Sequence, residues 1–392
     1  MEDATAAISG PSGVVGARRP ARTVSRRAGQ RVESDYAALR VLTALLRGER
    51  PERLDWMAIL RVANHALVTP ALAAALDVAG GQVDAPHDVR TFLDEVARRT
   101  GERNRRLAAQ LSDISAALNA EGIEPMALKG AAFLASPGDR PLARILTDLD
   151  LLLAPDEIER AIGALERAGF RLLARYPQFE SHVAAELGRE QDMGALDLHR
   201  RRPGPRHMAA NAALERPSER IEIPGAVVRR GSPETRILEI VLHDLFHDGD
   251  YWRGALDLRH LIDIADLISS GEADWSLLTE PALGVLGRRA VGRHLIAAHD
   301  LLGAPVPPEL LNSLGAGLEY RRALYQMRAP ALRTPLVFAS LLAQSPQILA
   351  HYQRERRWHA EFAEADVSRI ARARARLTRL GRWLGPPPVG KL

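Results

Sequence analysis

The sequence predicts an α+β protein in which a small mixed sheet lies between two helical regions. Three observations support this fold class. Apolar residues recur at helical spacing through residues 36–120, short strand-like segments replace that pattern in residues 121–231, and helical spacing returns over residues 232–380. Strands and helices that alternate with short connections favour an α/β unit in the middle of the chain. The length of 392 residues also allows two or three packed units.

The N-terminal part of the chain divides into a tail and a helical region. Residues 1–35 are rich in Arg, Gly, Pro, Ser and Ala and lack the apolar block of a secretory signal peptide, so we expect a disordered, arginine-rich tail. Residues 36–120 contain helical segments that Gly48, Pro51 and Pro70 interrupt. We therefore expect an N-terminal helical region there.

Residues 121–231 have the pattern of a small α/β core. The segment DEIERAIGALERAG has the spacing of a helix, and four other segments have the length and composition of strands: GIEPMAL, ILTDLDLLL, GFRLLARY and GALDLHRR. The order strand, helix, strand with short connections predicts a mixed sheet.

Helices are expected again in residues 232–380. Ser232, Pro233 and Glu234 have the residue types of a helix N-cap and first turn. We expect these helices to form the far wall of a cleft against the sheet, and we expect residues 381–392 to form a flexible tail.

Composition excludes several kinds of protein. Cysteine is absent, which excludes disulfides, thiolate metal sites and cysteine nucleophiles and predicts a cytoplasmic protein. The longest uncharged stretch, residues 334–353, contains two prolines and several polar residues, so no membrane span is expected. The formal charge is +4, and arginines cluster near both ends of the chain without interleaved aromatic residues. Solvated helix faces explain these clusters better than a nucleic-acid surface does.

Two acidic residues interrupt the apolar run ILTDLDLLL. Because successive strand side chains point to opposite faces, Asp148 and Asp150 share one face and lie about 6.6 Å apart. Their repulsion and lost solvation are costs that bound cations can offset. Asp197 and His199 repeat this arrangement in ALDLHRR. If the two strands are neighbours, three carboxylates meet and form a site suited to Mg²⁺ or Mn²⁺ rather than zinc.

A turn that could bind an anion precedes this strand. Lys129 and Gly130 stand where a strand should give way to a helix that begins near Ala131. The first amides of a helix are unpaired donors, and glycine lets an anion approach the backbone. Lys129 is one of only two lysines in a chain with 53 basic residues, and its ammonium would add a compact charge.

These residues together resemble the polymerase-β-type nucleotidyltransferase superfamily, whose pattern is a glycine-containing turn, an acidic–x–acidic strand and one further acidic strand residue. More closely, LKGAAFL, RILTDLDLLL, DEIERAIGALERAGF and LDLH resemble the bacterial family named as uncharacterised nucleotidyltransferases. The similarity extends more loosely through the LHDLFH segment. It implies a polymerase-β-like core.

The resemblance also implies the site residues. The catalytic, metal-binding carboxylates correspond to Asp148, Asp150 and Asp197, and the nucleotide-binding residues to Lys129, Gly130, Ala131, Arg144 and His199. Many superfamily members have Gly-Ser or Gly-Gly at the turn. Here Ala131 follows the glycine, so only backbone amides could contact a phosphate at that position.

The implied chemistry is two-metal nucleotidyl transfer with Mg²⁺ or Mn²⁺ and a nucleoside triphosphate donor. Asp197 would complete the metal site that activates the acceptor hydroxyl, or take its proton. Lys129 and the Gly130 amide would bind the departing pyrophosphate. Arg144 would either pair with the carboxylates or reach a phosphate.

We therefore expect a nucleotide-binding transferase, with ATP among its possible donors, that moves a nucleoside monophosphate to a hydroxyl or phosphate of a small-molecule or peptide acceptor. Genes of related proteins often accompany biosynthetic clusters, which the resemblance permits here. A nucleic-acid acceptor is disfavoured because the core carries no basic stripe. The alternative is a non-catalytic binding or adaptor protein that keeps the fold and docks a partner through its arginine-rich ends.

Two further groups have more than one interpretation. His243 and His247 are four residues apart in HDLFHDGD and could share a helix face, as a metal site requires. The glutamate of a zinc-protease helix is missing, and a helix that faces the cleft or caps its own end explains the pattern better. We expect Asp257 and Asp263 to be salt-bridged helix residues.

Overall fold

The computed structural model describes residues 35–80, 83–135, 143–177, 181–209, 218–271, 273–361 and 388–392. Nearly all of the predicted N-terminal tail, residues 1–34, lies outside the described residues. The second arginine-rich segment and the first part of the predicted C-terminal tail, within residues 362–387, also lie outside them.

A seven-stranded mixed sheet forms the middle of the protein. Its spatial order is β3-β4-β5-β2-β1-β7-β6. Strand β2 pairs in parallel with β5, and β1 pairs in parallel with β7, whereas the other neighbours are antiparallel. In chain order the strands are β1 (Met126–Ala127), β2 (Leu149–Leu152), β3 (Arg171–Arg175), β4 (Val183–Gly188), β5 (Leu196–His199), β6 (Ser218–Ile223) and β7 (Ala226–Gly231).

In the described part of the chain, four helices precede the sheet, and the last of them joins the N-terminal helices to it. They are α1 (35–46), α2 (Trp56–His65), α3 (Thr69–Val78) and α4 (His87–Asn119). The 33 residues of α4 extend over about 50 Å at 1.5 Å per residue. Near its start Leu93 packs into the N-terminal core, and farther along Leu107 and Leu111 pack into the core of the sheet.

Short helices connect the strands, and a larger helical region follows the sheet. The connecting helices are α5 (Lys129–Leu134), α6 (Ile158–Arg167) and α7 (Arg206–Ala209). The region after the sheet contains α8 (Pro233–Leu242), a π-helical turn (His243–His247), α9 (Asp250–Arg253), α10 (Leu258–Ser269), α11 (Trp275–Leu278), α12 (Gly284–Leu302), α13 (Pro308–Leu311), α14 (Leu314–Arg328), α15 (Arg333–Ala343) and α16 (Ser345–Glu361), with 3₁₀ turns at Pro281–Leu283 and Pro330–Leu332. Ser232 is the N-cap residue of α8, but its hydroxyl bonds the Glu234 side chain and does not cap a backbone amide.

The predicted fold class is confirmed: a mixed sheet lies between helical regions. Strands β1, β2, β3 and β5 fall within the four predicted segments, and α6 falls within the predicted helix. The sheet is larger than predicted because β4, β6 and β7 belong to it as well. Edge strand β6 alternates charged with apolar residues at Arg220–Ile223, a strand signal that the sequence analysis did not use. Among the described residues, no helix is both long enough and apolar enough to cross a membrane.

Residues 388–392 are packed against the protein, which corrects the flexible tail predicted for residues 381–392. Leu392 and Leu256 exchange two backbone hydrogen bonds, with N···O distances of 2.7 and 2.9 Å. The Gly390 amide donates to the His65 carbonyl at 2.7 Å. These contacts join distant parts of the chain, so no local pattern in the five residues could have predicted them.

Lys391, the second lysine of the chain, is buried in an acidic cluster. Its ammonium lies 2.9 Å from Asp250 and 3.3 Å from each of Asp244, Asp248 and Asp257. Burial opposes the charge, but these carboxylates outweigh burial and raise the pKa of Lys391 well above its usual value. The ammonium is therefore the counter-ion of a buried acidic cluster.

We expect the Lys391→Met substitution to destabilise the protein. Methionine keeps an unbranched side chain but leaves the four carboxylates without this counter-ion, and removal of one partner from a buried ion pair costs about 3–5 kcal/mol. Urea denaturation at pH 7 measures the change in the free energy of unfolding.

The matched control is Arg106→Met, which removes an exposed ion pair with Glu102. Exposed pairs contribute little to stability, so this variant should unfold like the unmodified protein. Equal urea midpoints for the two variants would contradict the counter-ion role of Lys391.

Candidate active site

A cavity of about 330 Å³ lies over the face of the sheet that carries the predicted acidic residues. Carboxylates line one side, the β1–α5 turn contributes a lysine and a glycine, and histidines line the remaining side. The residues in these three groups are Asp148, Asp150 and Asp197; Lys129 and Gly130; and His182, His199, His243 and His247. The cavity is therefore lined by residues of both the sheet and the C-terminal helical region.

The parallel pairing of β2 with β5 brings the predicted carboxylates together. Asp150 and Asp197 are register partners, and neighbouring strands lie about 4.8 Å apart. Potential ligand atoms of Asp150, Asp197 and His199 all lie within 4.8 Å of one another. Asp148 directly precedes β2 and lines the same cavity, where it accepts a 2.9 Å hydrogen bond from Thr147.

Asp150 is held by two donors. Lys129 Nζ lies 3.0 Å and His199 Nε2 lies 2.8 Å from its Oδ1 atom. Because an ionised carboxylate only accepts hydrogen bonds, His199 Nε2 carries the proton of this pair. Burial opposes ionisation of Asp150, but Lys129 and then His199 outweigh it and lower the pKa of the carboxyl. Asp150 is therefore an oriented carboxylate with a fixed negative charge.

Asp197 has the opposite electrostatic environment. Burial, followed by repulsion from Asp150 and Asp148, raises its pKa to about 7. The surrounding positive charge therefore does not suffice to keep all three carboxylates ionised at neutral pH. Divalent cations would supply that charge, so the three oxygen-ligand residues fit Mg²⁺ or Mn²⁺.

The turn between β1 and α5 has an unusual backbone. Lys129 has a φ of 41°, in the left-handed region that few non-glycine residues adopt. Helix α5 begins at Lys129, two residues before the predicted start. The conformation directs the turn so that the Lys129 side chain, 16% exposed, reaches Asp150.

Packing against the interior of the protein constrains Gly130 and Ala131. A Cβ atom at Gly130 would lie 2.6 Å from Leu146 Cδ2 and 3.1 Å from Arg144 Nη1, so glycine is required for these contacts. Ala131 is fully buried in the core of the sheet. Ala131 does not line the cavity, whereas Lys129 and Gly130 do.

Arg144 pairs with a residue of the C-terminal helical region. Its Nε atom lies 2.8 and 2.9 Å from the two carboxylate oxygens of Asp263, and its Nη2 atom lies 2.8 Å from Asp263 Oδ2. Arg144 also lines the cavity, but it makes no ion pair with Asp148 or Asp150 among the described contacts. Of the two roles expected for Arg144, pairing with the carboxylates is not seen among the described ion pairs, and Asp263 is salt-bridged.

Three imidazoles face the carboxylates across the cavity, and we call His182, His243 and His247 the histidine wall. Ring centres lie 4.4 Å apart for His182 and His247, 5.3 Å for His243 and His247, and 6.4 Å for His182 and His243. Burial and then the neighbouring His199 ring lower the pKa of His182 far below its usual value. His247 remains accessible to solvent, yet partial burial and the nearby His243 ring lower its pKa to about 4.

Sequence analysis missed His182. It directly precedes β4 and lies beside His199 of the adjacent strand, with ring centres 5.0 Å apart. No spacing relates it to His243 and His247 in the chain, and only the HxxxH spacing of the latter two gave a signal.

Comparisons with known proteins agree with the predicted resemblance. Residues 52–303 match the family model described as uncharacterised nucleotidyltransferase. No curated protein matches the chain significantly.

Two solved structures show weak similarity. One is the solution structure of the antibiotic-resistance factor ANT(2″)-Ia, with 17% identity, a TM-score of 0.29, and coverage of 51% of this chain and 95% of that one. The other is a crystal structure of ANT(2″)-Ia with adenylyl-2″-tobramycin, with 17% identity, a TM-score of 0.29, and coverage of 50% and 97%. These scores are too low to support a conclusion about acceptor or mechanism.

We expect the Asp197→Asn substitution to raise the unfolding temperature of the protein without divalent cations. The raised pKa favours folding below pH 4, and this contribution is lost as the pH rises through about 7, where the ionised carboxylate is repelled by its neighbours. The gain from asparagine should therefore be largest above pH 7 and disappear near pH 4. Thermal unfolding between pH 4 and pH 8.5 measures it.

Added Mg²⁺ provides the control for this electrostatic explanation. It should raise the unfolding temperature of the unmodified protein and have a smaller effect on the Asp197→Asn variant, because cation binding requires the ionised carboxylate. A pH-independent effect of the substitution would show that repulsion among the carboxylates is not its cause.

Proposed function

Because this chain belongs to the uncharacterised nucleotidyltransferase family, we propose that it transfers a nucleoside monophosphate from a nucleoside triphosphate to a hydroxyl or phosphate of a small-molecule or peptide acceptor. The observation that carries the proposal is the convergence of Asp148, Asp150 and Asp197 in one cavity beside the Lys129 ammonium. An adaptor protein would have no use for three close carboxylates, one of them with a raised pKa.

The three aspartates would hold Mg²⁺ or Mn²⁺. When bound, the cations neutralise the donor phosphates and stabilise charge on the attacking and leaving oxygens. His199 holds Asp150 in place by donating from Nε2, so its role in this proposal is to position a ligand and not to contact the nucleotide.

In the proposed reaction the acceptor oxygen attacks the α-phosphorus, and the bond from that phosphorus to the bridging oxygen of the β-phosphate breaks. Asp197 takes the acceptor proton on a carboxylate oxygen when the acceptor is a hydroxyl, since it lines the cavity beside Asp150. Lys129 is placed to bind the pyrophosphate that leaves, because its ammonium lies at the cavity surface and keeps its charge beside Asp150.

Arg144 and Ala131 have indirect roles in the proposed site. Arg144 connects the β1–α5 turn to α10 through Asp263, and this ion pair fixes the distance between the two sides of the cleft. Ala131 supports the β1–α5 turn from the core of the sheet and does not line the cavity.

A small acceptor is consistent with the size and surroundings of the cavity. Its volume of about 330 Å³ is in the range of small-molecule sites. The cavity is lined by carboxylates and histidines and has no stripe of arginines along which a nucleic-acid backbone could lie.

We expect Asp148→Asn to abolish triphosphate turnover. Asp148 is only partly buried, so the change should leave the fold intact while it removes one cation ligand. Pyrophosphate release in a cell extract with each of the four triphosphates should fall by about 100-fold or more. Mass spectrometry of the extract would identify the modified acceptor.

The control is Asp156→Asn, the same chemical change at an exposed residue after β2. It should retain full activity. If neither the unmodified protein nor this control binds a non-hydrolysable triphosphate with Mn²⁺, the transferase assignment would be wrong and the adaptor role preferred.

A further inference from the structure

The histidine wall has no role in the proposed transfer reaction. His182, His243 and His247 come from two separate parts of the chain, the start of β4 and the π-helical turn, and meet at the cavity. Apolar side chains would suffice to exclude water from this pocket. The contact among three imidazoles therefore requires a separate explanation.

The separations of the three ring centres are compatible with one metal ion, and the His182 ring must turn for its nitrogen to join the group of His243, His247 and Asp248. A Zn²⁺–N bond of about 2.0–2.1 Å and tetrahedral angles place the centres of three imidazoles about 5 Å apart. The observed separations of 4.4, 5.3 and 6.4 Å lie around this value. Potential ligand atoms of His243, His247 and Asp248 already lie within 4.8 Å of one another.

The surroundings of His243 resemble the outer shell of a metal site. Its Nδ1 atom lies 3.3 Å from Oδ1 of the buried Asp244, which also accepts from Nδ1 of His260 at 2.9 Å. A proton on His243 Nδ1 leaves the lone pair on Nε2. Carboxylates that orient metal-bound histidines act in this way, by fixing the ring and its tautomer.

The other ligands are available for a metal. His182 is 95% buried, and no side-chain hydrogen bond engages His182 or His247 among the described residues. Both rings line the cavity, so their nitrogens remain open to a metal ion. Asp248 pairs with Lys391 through Oδ2 at 3.3 Å, which leaves Oδ1 as a fourth ligand.

The backbone supports the same arrangement. Residues His243–His247 form a π-helical turn that continues α8, and such turns are rare and often occur at functional sites. Here the turn brings His243 and His247 close together, with their rings 30° from parallel.

We propose that His182, His243, His247 and Asp248 form a transition-metal site that prefers Zn²⁺ and is separate from the carboxylate cluster. Three imidazole nitrogens and one carboxylate suit Zn²⁺, Co²⁺ or Ni²⁺, whereas Mg²⁺ selects oxygen ligands. The site does not depend on nucleotidyl transfer. His182 lies beside His199, with ring centres 5.0 Å apart, so a Zn²⁺ ion there would line the same cavity as Asp148, Asp150 and Asp197.

Cobalt(II) is the probe for this site. The full chain, prepared without a histidine tag, is titrated with Co²⁺ alone while the visible spectrum is followed. Because the chain contains no cysteine, strong ligand-field bands report four-coordinate nitrogen and oxygen ligation without thiolate contributions. We expect a one-to-one endpoint, reversal by Zn²⁺, and no displacement by excess Mg²⁺.

Variants identify the ligands. His247→Gln should weaken Co²⁺ binding by at least about 10-fold, and His87→Gln, at an exposed histidine, should leave it unchanged. His182→Gln is a second ligand variant, and thermal unfolding of each variant confirms that it is folded. Asp148→Asn should keep the Co²⁺ spectrum even though it abolishes triphosphate turnover.

Two results would overturn the proposal. One is equal Co²⁺ affinity in the unmodified protein and both ligand variants. The other is a spectrum that Asp148→Asn removes and His247→Gln preserves, which would place the ion at the carboxylates. Since the experiment measures metal binding alone, a failure of the proposed transfer reaction would not change its result.

Discussion

The candidate site depends on the parallel, in-register pairing of β2 with β5. This pairing makes Asp150 and Asp197 neighbours on one face of the sheet, while Leu151 and Leu198 pack into the core on the other. A shift of one residue would move the carboxylate of Asp197 to the apolar face, because strand side chains alternate with a period of two. Burial of Leu151 and Leu198 therefore fixes the strand register and with it the positions of Asp150 and Asp197.

The carboxylates that converge in this protein repel one another, and two lysines reduce this repulsion. Lys129 neutralises Asp150, and Lys391 lies among four carboxylates beneath the π-helical turn. A lysine carries a compact ammonium on a flexible stem, which can enter a crowded acidic pocket, whereas a guanidinium is planar and wider. Each lysine of this arginine-rich chain lies in a buried acidic cluster, and Arg253 and Arg259 also pair with carboxylates of the cluster around Lys391.

Lys391 also connects the outer acidic cluster to the cavity. The ammonium pairs with Asp244, and Asp244 in turn contacts His243 and His260, which both line the cavity. Residues 388–392 thus contact Asp244, which supports the histidine wall, through Lys391. They also form hydrogen bonds with His65 of α2. The N-terminal helices, the π-helical turn and the last described residues are joined by these contacts into one structural support for the site.

The sequence by itself determined the fold class, four strands and the acidic residues that meet in the cavity, because alternation and short connections are local properties of the chain. It predicted the position of Asp197 only on the condition that two strands were neighbours. Only the tertiary structure showed that β2 and β5 are neighbours. It also decided the pairing of Arg144 with Asp263, the position of His182 and the burial of Lys391. Each of these joins residues far apart in the chain, and such contacts follow from the packing of whole elements and leave no periodic signal in either partner.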